Sequence, residues 1–227
     1  MKKISSSAAG VLLLDLRSVD DTLYRQLYNI ASDKRKRRAD RYLRHDDAVC
    51  CVFSEALLRY AYSATGNKLN PADIDCTANG KPYIKSDPRF RFSISHSGIY
   101  TAVAFSDSEI GLDIEQINRQ LDRKTVSNTV FTPDERSYIY STDNENLHRL
   151  RFTELWTAKE SYLKYLGTGF RKNPLDVCID TAHKQVIGAD AVLTGIHISE
   201  DYYISVCGTA QKTAVEFTDI SAINSIL

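Results

Sequence analysis

Long apolar runs, paired cysteines and an excess of either charge are all missing from this sequence of 227 residues. No stretch reaches the roughly 18 consecutive apolar residues that a membrane-spanning helix needs. VLLL at residues 11–14, behind Lys2 and Lys3, resembles the heart of a secretion signal. Asp15 and Arg17 cut it short, so residues 11–16 read instead as a first β-strand. The five cysteines (Cys50, Cys51, Cys76, Cys178, Cys207) are odd in number and never spaced as CxxC. That argues against a disulfide framework or a zinc site and predicts reduced thiols in a cytoplasm. Lys+Arg and Asp+Glu each total 29, so the net charge is zero. General nucleic-acid binding is disfavoured, and only a local basic patch remains open. No low-complexity linker or repeat is visible.

What is present is a globular composition, 43% apolar and 26% charged, long enough for one large domain or two of about 110 residues. Ser32 or Asp33 can cap a helix running from 33, through Ala48, Val52, Ala56 and Tyr60 at helical spacing, to Gly66. Asn79-Gly80 marks a turn. RFSISH, IYTAVAF and EIGLDIE follow as a β-meander. Thr132 caps PDERSYIY with Pro133 at the first helical position, and helix continues to Leu166. Residues 175–219 return to strands. This order predicts an α+β fold, with two similarly sized halves meeting near residue 110.

Within EIGLDIE, Ile110, Leu112 and Ile114 face one side, and Gly111, Asp113 and Glu115 the other. Two carboxylates so placed lie about 6–7 Å apart and repel by roughly 2–3 kcal/mol at an effective dielectric near 20. Solvent screening of an exposed pair would relieve this, and so would a Mg²⁺ ion taking hard oxygen ligands from one face. Glu160 is a candidate third carboxylate. It lies in WTAKESYLKYLG (156–167), where Leu155, Tyr162 and Leu166 share a narrow apolar stripe on a helix. Lys159 falls inside that stripe, while Glu160 and Lys164, four apart, stack along its edge. A surface ion pair with a snorkelling lysine and a functional set are both open. Lys34, Arg37, Arg38 and Arg41 share a face of the basic helix, either as a solvated surface or as a wall for a compact phosphorylated ligand. Lys81 in GKPY and His96 in SISHSG add polar groups at a turn and a strand end.

Taken in order, the basic helix before HDDA, GKPYI, FSISHSG, GLDIE, FTPDE and WTAKESYLKYLGTGF resemble the 4′-phosphopantetheinyl transferases of the two-subdomain, monomeric Sfp type. The pair GLDIE and WTAKESYLKYLG carries most of that specificity. The resemblance implies two similar α/β subdomains, sandwich-like and related by a pseudo-twofold axis, spanning residues 1–109 and 110–227. Coenzyme A would lie in the cleft between them. It implies that Asp113, Glu115 and Glu160 ligate Mg²⁺, with Mn²⁺ as the alternative, together with the coenzyme A pyrophosphate. Lys164 would contact that pyrophosphate, assisted by Lys159. Ser95 and His96 would meet the nucleotide end, His96 at its 3′-phosphate, and Lys34, Arg37 and Lys81 would hold phosphates. Cys50 stands where the family commonly has an arginine, so Arg41 or Arg44 would have to replace that contact.

The implied reaction moves phosphopantetheine to a serine of an apo acyl or peptidyl carrier protein, with Glu160 or a metal-bound water as base and Glu160 and Lys164 as the catalytic pair. The carrier would dock around residues 118–135. The implied setting is a cytoplasmic monomer without nucleic-acid or membrane partners. The alternatives are a non-catalytic coenzyme A or carrier-protein binding module, and a phosphohydrolase using the same carboxylates.

Overall fold

Ala9, Val11 and Leu13 face one way along the first strand and Leu12 and Leu14 the other, and both rows are buried. A strand covered on both faces needs a layer on each side, and that requirement organises the molecule. The computed structural model describes residues 8–117, 121–183, 185–210 and 212–227. The chain begins with β1 (Ala8–Asp15), α1 (Asp21–Ile30), α2 (Asp33–Ala39) and α3 (His45–Ser63). Then come β2 (Ile74–Cys76), β3 (Pro82–Ile84), β4 (Arg91–Ser97) and β5 (Tyr100–Ser106). The second half runs β6 (Ile110–Gln116), α4 (Arg123–Val130), α5 (Pro133–Tyr140) and α6 (Glu145–Leu166). It closes with β7 (Ile179–Asp180), β8 (Gln185–Val186), β9 (Val192–Ser199), β10 (Tyr202–Gly208), β11 (Lys212–Thr218) and α7 (Ile220–Ile223). The fold is α+β.

The same unit is built twice. In the first half, β1, α3 and the β4–β5 hairpin give the strand order β1-β5-β4; in the second, β6, α6 and the β9–β10 hairpin give β6-β10-β9. All these pairings are antiparallel. β11 then crosses back to pair parallel with β1, making the first sheet four-stranded. The two sheets share one apolar layer, with Val11 and Leu13 of β1, Leu112 and Ile114 of β6, and Ile204 of β10. α3 covers the outer face of the first sheet and α6 that of the second.

Buried hydroxyl pairs mark equivalent points in the two units. Ser54 of α3 meets Thr101 of β5 at 2.6 Å, and Thr157 of α6 meets Ser205 of β10 at 2.7 Å. Thr101 lies opposite Leu14, and Ser205 opposite Asp113. Superposed on these marks, Leu14, Leu57 and Ala61, all fully buried, stand where the second unit has Asp113, Glu160 and Lys164. The fold thus packs this region with apolar side chains once and with charges once. The charges are not required by the architecture.

Two expectations from periodicity are corrected. The helix expected from residue 33 to 66 is two helices. Ser32 N and Oγ donate to the buried Glu55 at 2.7 and 2.6 Å. On one continuous helix those residues would be separated by roughly 35 Å at 1.5 Å per residue, so α2 has to fold back along α3. The expected meander also divides. β5 already has β1 on one side and β4 on the other, leaving no edge for β6, which founds the second sheet. Thr132 does cap α5, in a full capping box with Glu135.

Gly111 decides how close α6 can come to β6. A Cβ there would lie 1.9 Å from the carbonyl oxygen of Ser161 and 2.5 Å from the amide of Tyr165, both helix backbone. Gly111→Ala is therefore expected to destabilise by at least ~1–3 kcal/mol, the usual range for overpacking, measured by urea unfolding. A stability loss under ~0.5 kcal/mol, the scale of a neutral surface change, would refute this close approach.

Candidate active site

β4 and β6 are edge strands of different sheets, and serine side chains on β4 join them. Leu112 N donates to Ser93 Oγ at 3.0 Å, and Gln116 N to Ser97 Oγ at 3.2 Å. Ser95 Oγ donates to Asp113 Oδ1 at 2.8 Å, and Ser97 Oγ to Glu115 Oε2 at 2.7 Å. From α6, Lys164 Nζ reaches Asp113 Oδ1 at 2.7 Å and Ser95 Oγ at 3.0 Å. Lys164 and Asp113 thus pair within the second unit, and Ser95 meets both from across the junction. Asp113 is 4% exposed, and its Oδ2 is buried with no hydrogen-bond partner. Such an orphaned carboxylate oxygen is costly to bury.

Glu160 completes an acidic group. Burial, and then the charges of Asp113 and Glu115, push its carboxyl up to about 7 against the pull of Lys164. A carboxyl titrating near neutrality is suited to proton transfer. Among the described residues no three His, Cys, Asp or Glu side chains form a metal cluster by themselves. The acids are an incomplete set of hard oxygen donors, open at Asp113 Oδ2.

Asp113, Glu115 and Lys164 line a cavity of about 430 Å³ together with Arg35, Arg38 and His96. Burial, followed by Arg38 and Lys164, lowers His96 to about 4, so it is neutral at physiological pH. The GKPY turn forms another wall, with Gly80 at φ 88°. Lys81 lines the cavity, but its ammonium donates to Glu109 Oε2 at 2.6 Å, Tyr165 O at 2.9 Å and Ile110 O at 3.3 Å. These acceptors match its three N–H groups, so it braces the turn against β6 and α6.

Three of the expected phosphate contacts lie elsewhere. Lys34 is paired with Asp75 on the surface, and Arg37 is exposed and outside the cavity wall. The Ser32–Glu55 bonds fix the roll of α2, and Arg35 also approaches Glu55, so the face turned to the cavity carries Arg35 and Arg38. Lys159 is 1% exposed and points away from the cavity. Its ammonium meets Glu135 at 2.7 Å and the carbonyls of Val130 and Pro174 at 2.9 and 3.0 Å. That explains a lysine inside the apolar stripe: it anchors α6 to the start of α5. Cys50 is buried against the Gly98 carbonyl, its thiol pushed up to about 11 by burial, and neither Arg41 nor Arg44 lines the cavity.

Two family profiles match consecutive parts of the chain. Residues 19–108 fit "4'-phosphopantetheinyl transferase, N-terminal", and residues 109–216 fit "4'-phosphopantetheinyl transferase superfamily". The chain belongs to the 4′-phosphopantetheinyl transferase superfamily. It is 32% identical over 155 residues to a 4′-phosphopantetheinyl transferase of Bacillus subtilis, covering 67% of this chain and 66% of that one. It is 28% identical over 164 residues to the transferase psf-1 of Bacillus pumilus, covering 70% and 69%. Sfp of Bacillus subtilis strain 168 is 31% identical over 150 residues, covering 64% and 63%. The chain thus spans about two thirds of the length of these relatives.

Several residues that hold the elements around this cavity in place are not singled out by helical or strand spacing alone. Arg35 is one, since helical spacing does not say which face of α2 turns inward. Ser93 and Ser97 carried a usable signal, since with Ser95 they alternate at strand period on one face of β4. Glu135 closes the capping box of α5, and it also holds Lys159 and accepts from Ile179 N at 2.9 Å.

Proposed function

We propose that the chain transfers the 4′-phosphopantetheine group of coenzyme A to a serine hydroxyl of an apo acyl or peptidyl carrier protein. The other product is adenosine 3′,5′-bisphosphate. The observation that carries this reading is the pair of buried Asp113 with half-buried Lys164, which lines a cation-rich cavity with Glu115 and has Glu160 close enough to be raised by both acids. The apolar packing at the equivalent points of the first unit supports it, because these charges are then kept for chemistry.

Arg35 and Arg38 would hold phosphates of coenzyme A, and His96 would meet its 3′-phosphate. Asp113, through Oδ2, would join Glu115, Glu160 and the pyrophosphate in holding Mg²⁺ or Mn²⁺. When bound, such an ion neutralises charge on the pyrophosphate. Glu160 takes the proton of the attacking serine. Lys164 stands beside Asp113 to meet charge growing on the leaving phosphate oxygen. The division near residue 109, with β11 returned to the first sheet, belongs to the same reading, as does a cytoplasmic monomer. No helix among the described residues is long and apolar enough to cross a membrane.

Incubation with coenzyme A, Mg²⁺ and apo carrier protein tests the proposal by mass spectrometry. A gain of one phosphopantetheine supports transfer. Binding without a mass gain supports the non-catalytic module, and free phosphate release a hydrolase. In the same assay Arg38→Ala is expected to raise KM for coenzyme A several-fold with kcat little changed, because a remote phosphate contact holds ground and transition states alike. Arg37→Ala should leave KM within about two-fold, since Arg37 lies outside the cavity wall. Equal effects of both changes would refute this choice of helix face.

A further inference from the structure

We infer that Ser97 is a positioning residue for the acid site: its hydroxyl holds the Glu115 carboxylate in the orientation that receives a divalent cation. This rests on the reading of Asp113, Glu115 and Glu160 as cation ligands. The three serines of β4 share one face, yet each hydroxyl does something different. Ser93 Oγ accepts from the Leu112 amide, a stitch between strands that involves no carboxylate. Ser95 Oγ touches Asp113 and Lys164 and so belongs to the site itself. Ser97 Oγ does both jobs at one point. It accepts from Gln116 N at 3.2 Å and donates to Glu115 Oε2 at 2.7 Å.

A serine hydroxyl has a single proton. In Ser97 that proton goes to the carboxylate, while a lone pair engages the amide of the very next residue along β6. Glu115 is thereby tied at its side chain and beside its backbone to the same atom. The anchor is rigid: Ser97 is 8% exposed and ends β4 opposite Tyr100 of β5. Joining two strand edges requires only an acceptor for the amide, as Ser93 demonstrates. The second bond, to the carboxylate, removes rotamer freedom that cation binding would otherwise have to freeze, and it fixes which oxygen faces the cavity. Outer partners of metal-binding carboxylates act in this way, typically at the level of 10–100-fold in affinity.

The test is Mn²⁺ binding in the presence of coenzyme A, followed by the paramagnetic resonance signal of free Mn²⁺, with thermal melts alongside. Ser97→Ala is expected to weaken Mn²⁺ binding about 10-fold or more. Ser97→Cys keeps the volume but not the strong donor and should behave like Ala, whereas Ser97→Thr keeps the hydroxyl and should restore most of the affinity. Ser93→Ala controls for loss of a strand stitch and should leave affinity within about two-fold, because it touches no carboxylate. Equal weakening by Ser93→Ala and Ser97→Ala, or no weakening by Ser97→Ala, overturns the role of Ser97. Asp113→Ala separates the two levels. If it abolishes Mn²⁺ binding while Ser97→Ala does not weaken it, only Ser97 is misassigned. If it leaves binding intact, the cation-ligand reading itself is wrong.

Discussion

Asp113→Ala is expected to reduce transfer at saturating Mg²⁺ to below about a tenth of wild-type turnover while the protein stays folded. Asp113 is the junction of the site. One oxygen accepts from Ser95 and Lys164, and the other is buried without a partner. Removing it deletes the open donor and releases Lys164 from its partner. The fold should survive, because Leu14 fills the equivalent point of the first unit with an apolar side chain. Asp113→Leu copies that solution and is expected to fold equally well and transfer equally poorly. Retention of more than a tenth of the turnover in either variant, with a normal melt, would remove Asp113 from the chemistry.

Glu160→Gln is expected to lower kcat by about 100-fold or more, the scale of a lost general base, and at the same time to stabilise the metal-free protein at neutral pH. The second effect follows from linkage. The folded-state carboxyl titrates at about 7 against an ordinary 4.5, so it takes up its proton in the folded protein first as pH falls. Stability contributed by this group is therefore highest below about 4.5 and is lost as pH rises through 7, by on the order of 3 kcal/mol. Glutamine is neutral throughout and escapes that loss. His96, lowered to about 4, works the other way by weakening the fold as pH falls below 6.5. Subtracting the melts of wild type and Glu160→Gln in EDTA from pH 4 to 8 cancels it. A variant no more stable than wild type at pH 8 would refute the buried, mutually repelling acids. Near-normal kcat would return Glu160 to a structural role.

The sequence alone determined what depends on neighbouring residues. The alternation of EIGLDIE put Gly111, Asp113 and Glu115 on one face, and the structure keeps Ile110, Leu112 and Ile114 in the layer between the sheets. Thr132 and Pro133 announced the start of α5, and Asn79-Gly80 its turn. Periods of two and 3.6, caps and turns are local properties of a chain, so one sequence suffices to read them. The order of motifs along the chain likewise points to the family.

Tertiary structure decided everything that depends on which surface meets which. Helical spacing allowed one long basic helix, but a buried carboxylate at Glu55 folds α2 back and turns Arg35 and Arg38, not Lys34 and Arg37, toward the cavity. Strand spacing allowed a three-stranded meander, but β5 had no free edge, so β6 began a second sheet. Helical spacing put Lys159 inside the apolar stripe and Lys164 at its edge but named neither partner; one is buried on Glu135 and the other reaches Asp113, because the helix passes between the two. The duplication was implied by the resemblance but leaves no repeat in the residues themselves: where the first unit has Leu14, Leu57 and Ala61, the second has Asp113, Glu160 and Lys164. Edges, helix roll and burial are set by residues far apart in the chain, which no local pattern records.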